Sequence, residues 1–155
     1  MKQVNWRPLL TSVLLAHLAG QIAHLLAGRI GALYAVMSGP PFAPPGWLFR
    51  PVWLILYTLM GLAAYRIWSS KDPGRREGMR LYAAQLLLNT LWPTIFFRLG
   101  HLWIALAALF VLFGLVFLTF RQFSAVDRLA GRLLLPYLLW VGYAVYLCLG
   151  FVLMW

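Results

Sequence analysis

PPFAPPGWLFRPVWLILY, residues 40–57, decides how the rest of the chain is read. Pro40, Pro41, Pro44 and Pro45 fall within six residues, and Pro51 follows as an apolar run begins. Proline fixes φ and removes a backbone donor, so residues 40–46 are expected to run extended rather than inside a helix. Trp47, Trp53 and Tyr57 follow at spacings of six and four. A stiff aromatic collar opening into an apolar helix is costly for a mere connection, which raises the question of what it serves.

Composition sets the solvent. Of 155 residues, 63% are hydrophobic and 10% charged, with a mean hydropathy of +0.82. A soluble domain carries roughly a quarter charged residues, so this chain is expected to use lipid as its solvent. The net charge is +10, but the basic residues flank apolar runs instead of forming one patch, which argues for membrane-flanking charge and against nucleic acid. Cys148 is the single cysteine, so no internal disulfide forms. The first apolar run lacks a small-residue cleavage site and is read as a retained helix.

A spanning helix needs about 20 apolar residues, and five segments qualify: 8–27, 47–68, 79–97, 102–120 and 129–154. The fold expected is an all-α integral membrane bundle of five transmembrane helices in a single domain over 1–155. Its later connections are short, whereas the first, 28–46, is long enough to suggest function. Lys2, Arg7, Arg66, Lys71, Arg75, Arg76, Arg80, Arg121, Arg128 and Arg132 fall on the amino-terminal side, against Arg29, Arg50 and Arg98 on the other. For a bacterial cell membrane this places the amino terminus in the cytoplasm, and the proline-rich loop and carboxyl terminus outside.

Polar groups inside a bilayer are expensive and face the bundle interior. Gln85, Asn89 and Trp92, spaced four and three, share one helix face, and Pro93 frees the Asn89 carbonyl. Interhelical hydrogen bonding with a kink is the simpler account; the wall of a ligand cavity is the other. Trp140, Ala144 and Cys148 share a face of the last helix. Trp6, Trp68, Trp103 and Trp155 suit an interfacial belt. Trp53, Trp92 and Trp140, each beside small or polar residues, are cavity candidates. His17, Gln21 and His24 form one stripe; haem iron is a conceivable ligand, but interior hydrogen bonding is favoured, and no metal site is expected. The acids Asp72, Glu77 and Asp127 lie in expected loops, and no nucleophile–base or paired-carboxylate arrangement stands out.

PPFAPPGWLFRPVWLILYTLMGLAAYR at 40–66, LYAAQLLLNTLWPTIFF at 81–97 and LLLPYLLWVGYAVYL at 133–147 together resemble the TspO/MBR family of tryptophan-rich sensory and translocator proteins. The resemblance implies a five-helix membrane bundle, often a homodimer, whose pocket is closed at one end by the long first loop acting as a lid. It implies binding of porphyrins such as protoporphyrin IX and haem-pathway intermediates, of sterols and of synthetic benzodiazepine-type ligands, in transport or sensing. No cofactor beyond the porphyrin ligand is required. A light-dependent porphyrin-degrading enzyme, with Trp53 and Trp140 as photochemical residues, and a structural or regulatory membrane partner are the alternatives. By the same resemblance Trp53, Asn89, Trp92, Trp140 and Ala144 are pocket positions, and Tyr34 is the aromatic of the lid. Tyr57, one turn after Trp53, and Gln85, one turn before Asn89, complete the expected ligand-binding set. Phe42 stands where many members carry tryptophan, and Cys148 where asparagine is common. No Lys or Arg follows Arg132, which weakens the case for sterol binding.

Overall fold

Among the described residues, 5–28, 30–37 and 39–154, every regular element of the computed structural model is helical. In chain order these are α1 (Trp6–Ala27), α2 (Ile30–Val36), α3 (Gly46–Trp68), α4 (Arg75–Pro93), α5 (Leu102–Val126) and α6 (Arg128–Met154). A π turn over Thr94–Arg98 continues α4. Lys2, Arg29 and Trp155, which entered the charge and belt readings, lie outside the described residues.

Helix ends differ from the ends of the apolar runs, and the reason is physical. α4 starts at Arg75, not 79, because Arg75, Arg76 and Glu77 end hydrophobicity without ending helicity; Glu77 suits the positive end of the helix dipole. α5 likewise runs to Val126 through the polar stretch around Arg121 and Gln122. The first connection is not loop throughout, since the seven-residue α2 lies within it and packs on α3. So short a helix depends on tertiary contact and announces itself weakly in sequence. α3 begins directly after Pro45, whose φ of −64° and ψ of 144° are extended as expected, but the run is not extended throughout: Pro41 and Phe42 form a turn in which Ala43 N donates to the Pro40 carbonyl at 3.1 Å, and Gly46 already belongs to α3.

α1, α3, α5 and α6 are each long and apolar enough to cross a membrane. α4 falls short by composition because of its charged first turns. The five long helices close a ring in the order α1, α3, α6, α5, α4 and back to α1. Met60 and Ile67 of α3, Leu109 and Leu112 of α5, and Leu134 and Tyr137 of α6 fill its interior. Leu14, Leu18 and Leu25 of α1 and Phe110, Val111 and Leu118 of α5 point outward and are exposed. An apolar outer surface of this extent suits hydrocarbon, not water. The chain is thus an all-helical membrane protein.

Two glycines set how closely the ring closes. A Cβ on Gly61 of α3 would lie 2.5 Å from the Val13 Cα of α1. One on Gly131 of α6 would lie 2.8 Å from the Ser124 Cα of α5.

At the end of the bundle where α3 stops and α6 starts, Asp127 accepts from Arg66 Nη2 at 2.7 Å and caps α6 through the N–H groups of Leu129 (2.8 Å) and Ala130 (3.1 Å). Partial burial pushes its carboxyl up, but the Arg66 hydrogen bond, the Ala130 N–H, the Arg66 charge and the Leu129 N–H outweigh that and hold it below the usual carboxylate range. A depressed folded pKa contributes stability that is complete above the ordinary value of about 3.9 and is lost as pH falls through the lower folded value. Arg66 is 39% exposed, so solvent screening limits the ion pair to about 1 kcal/mol or less. Asp127→Asn, which keeps a capping oxygen, is expected to flatten the acid-side fall in melting temperature between pH 5 and pH 3. An unchanged slope in thermal melts would assign that fall to other groups.

Candidate functional site

Tyr57 is the pivot between α1, α3 and α4. Its ring lies against Gly20, where an added Cβ would collide with it, so α1 needs a glycine there. Its hydroxyl accepts from Asn89 Nδ2 at 3.1 Å. Trp53, one turn earlier on α3, stacks on Tyr57 with centroids 5.2 Å apart and meets the Tyr137 ring edgewise at 6.3 Å. These contacts hold the Trp53 indole in one plane.

On α4, Trp92 donates Nε1–H to the Ala105 carbonyl of α5 at 2.8 Å. That bond fixes a second indole. Pro93 is expected to free the Asn89 carbonyl, and the helix indeed changes winding directly after it. In the π turn Leu99 N donates to the Thr94 carbonyl five residues back at 3.0 Å. Wider winding brings a residue five positions on to the same side as well as the one four positions on. Phe96 therefore stacks on Trp92 at 5.2 Å while Phe97 meets it edgewise at 6.4 Å.

The proline-rich segment is tied down by tyrosine hydroxyls. Tyr146 donates to the Pro41 carbonyl and Tyr143 to that of Phe42, each at 2.6 Å, and Tyr34 donates to that of Pro44 at 2.8 Å. A proline-rich run forms no regular backbone ladder, so these acceptors are free for side chains. Phe42 has a φ of 63°, a left-handed conformation that costs a bulky residue about 1 kcal/mol or more, and its ring is 91% exposed. Gly150 lets Pro40 pack onto α6, since a side chain there would collide with the proline ring. Burial, and then the Tyr143 charge, raise the Tyr34 phenol above its ordinary value of 10, so it remains a donor across physiological pH. Tyr34 also packs edgewise on Phe49 at 5.0 Å and on Phe151 at 6.0 Å.

These side chains surround one cavity of about 490 Å³, within the range for small-molecule sites. Tyr34, Trp53, Tyr57, Asn89, Trp92, Trp140 and Ala144 all line it. Gln85 does not: it is buried one turn deeper, where its Oε1 accepts from the Tyr137 hydroxyl at 2.9 Å. Trp47 is 72% exposed and also stands apart. Several lining residues escape the sequence reading. Phe49, Phe96, Phe97, Tyr143, Leu147 and Phe151 extend the apolar wall. The α1 stripe of His17, Gln21 and His24 also faces the cavity, and its helical spacing is the signal that could have placed it there. Arg50 lines the loop end. Flat aromatic faces, two fixed indoles and a cation at one end can hold a flat apolar molecule that carries acidic groups.

Comparison with known proteins agrees with this architecture. The TspO/MBR family model matches residues 12–154. The bovine translocator protein is 35% identical over 143 residues, covering 90% of this chain and 85% of the relative. The tryptophan-rich protein TspO of Chlorobaculum tepidum is 36% identical, covering 74% of this chain and 73% of the relative. The translocator protein homolog of Schizosaccharomyces pombe is 39% identical, covering 78% and 76%. The collar, the membrane helices and a match over nearly the whole sequence agree: this chain belongs to the TspO/MBR family.

Proposed function

We propose that this protein binds a tetrapyrrole of the protoporphyrin IX or haem type in the aromatic cavity, and that it moves or senses that ligand. The carrying observation is that Trp53, Trp92 and Trp140, from three different helices, line one cavity with Arg50 at its loop end. A porphyrin is a flat apolar ring with two carboxylates: its faces suit the indoles, and its carboxylates suit a cation at the opening. Arg50 is the partner proposed for them; Arg29, on the same side of the chain by the charge count, lies outside the described residues. Benzodiazepine-type ligands, apolar and rich in aromatic rings, suit the same lining, and sterols suit it less well.

On this reading α4 with its π turn is the fifth span, the segment from α2 to Pro45 is the lid, and the protein pairs as a homodimer. With a bacterial cell membrane as its setting, the clustering of Arg66, Arg75, Arg128 and Arg132 at one end of the bundle supports a cytoplasmic amino terminus. A second reading, light-dependent porphyrin breakdown, is favoured by the contiguous path from Trp53 to Tyr57 and Tyr137. It would appear as a new absorbing product on illumination. A purely structural or regulatory role would leave the cavity incidental.

Titrating the purified protein with protoporphyrin IX is expected to quench tryptophan fluorescence saturably. Trp53→Phe/Trp140→Phe is expected to lower that quenching clearly, with Trp92 left as the remaining indole of the cavity. Absent quenching, or quenching unchanged in the double variant, would defeat the assignment.

A further inference from the structure

α1 presents two imidazoles to the cavity, and they are in different states. The Thr58 hydroxyl donates to the Leu54 carbonyl at 2.8 Å, so the same oxygen accepts from His17 Nε2 at 2.9 Å. His17 is thus a hydrogen-bond donor, and its ring rests 6.1 Å from that of Tyr57. His24 lies seven residues further, about 10 Å along the helix, towards the loop end. It lines the cavity, is exposed, and makes no side-chain hydrogen bond among the described residues.

No group of three His, Cys, Asp or Glu side chains converges among the described residues, so those side chains alone offer no cage for a metal ion. A metallated macrocycle differs, because it brings four nitrogens of its own and needs only an axial donor. We propose that His24 is that donor, ligating the metal of a metallotetrapyrrole, so that the cavity favours metal-bearing macrocycles over the metal-free ring. This rests on the tetrapyrrole reading above. α1 and α6 are not neighbours in the ring of helices, so a macrocycle between them meets His24 on one face and Trp140 beside the small Ala144 on the other. The imidazole lone pair replaces a weakly held solvent ligand on the metal. No electron changes hands, and neutral histidine loses no proton.

The test titrates the detergent-solubilised full chain with ferric protoporphyrin IX and, separately, with metal-free protoporphyrin IX. The wild type is expected to shift the Soret band of the ferric compound, give the electron-spin signature of imidazole-bound iron, and bind it tighter than the free ring. His24→Ala is expected to lose that signature and weaken ferric binding about tenfold or more, since even groups that only support a metal ligand are worth 10–100-fold. Its affinity for the metal-free ring should stay within about twofold, and added free imidazole should restore the signature. His24→Gln, which keeps polar bulk, is expected to behave as His24→Ala, while His17→Ala keeps the signature. An unchanged ferric spectrum in both His24 variants, or equal wild-type affinity for the two rings, overturns the proposal while the tetrapyrrole reading stands. If neither ring binds the wild type, both readings fall.

Discussion

Ala144→Phe is expected to take up no measurable protoporphyrin IX while remaining folded. Ala144 lines the cavity between Trp140, one turn before, and Cys148, one turn after. A phenyl group there occupies the space in which a macrocycle must lie against the Trp140 indole. The loss expected is at least about 100-fold, or roughly 3 kcal/mol of binding energy. Stability should hardly change, because the added ring enters space that is already empty instead of forcing packed groups apart. Fluorescence titration and a thermal melt on the same preparation separate the two effects. Affinity within about threefold of the wild type, a change of under about 1 kcal/mol, would place the ligand elsewhere.

Gly61→Leu is expected to do the reverse, damaging the fold first and binding as a consequence. The atoms an added Cβ would meet are the Val13 Cα at 2.5 Å, the Val13 N at 2.9 Å and the Ser12 carbonyl oxygen at 3.0 Å. All are backbone, so no rotamer change relieves the clash, and α1 must move off α3. Overpacking costs about 1–3 kcal/mol where side chains can yield, and more where they cannot. A loss of about 3 kcal/mol corresponds to a fall of roughly 6–12 °C in melting temperature for a chain of this size. Gly114→Ala is the internal control, because a Cβ there meets nothing within 4 Å. Its melting temperature should match or slightly exceed that of the wild type. Equal melting temperatures for the Gly61→Leu variant and the wild type would mean that the two helices are not locked at Val13.

How far the cavity is legible in the sequence follows from what helical periodicity measures. The spacing of Asn89 and Trp92, and of Trp140 and Ala144, reports angle about a helix axis, and these residues do face a common space. It does not report depth along the axis. Gln85 shares the angle of Asn89 but sits one turn further in, where Tyr137 closes over it. The same blindness hides Phe49, Tyr143 and Phe151, which are single aromatics in apolar runs rich in them. α2 escapes notice because seven residues carry too little periodicity and rely on contact with α3. The α1 stripe is visible in the sequence, but interior hydrogen bonding describes only His17 and its Thr58 bond, not His24. Composition reveals the membrane and the family motifs suggest the site. The polar atoms that tie the proline segment to α6 are backbone carbonyls, which every residue has and no sequence pattern marks.

The π turn after Pro93 carries a consequence about length. A π turn equals a regular helix with one residue inserted, so Thr94–Arg98 can be regarded as four positions of helix plus a supernumerary one. Deleting a residue ahead of the two phenylalanines, such as Thr94, would let the backbone close as ordinary α-helix and set Phe97 four positions after Trp92, in the place that Phe96 now holds. The cavity wall can therefore be revised by one codon gained or lost, without exchanging any side chain that lines it. Relatives that differ in ligand size have a route to that difference through indels at this point, one that an ungapped comparison of lining residues would overlook.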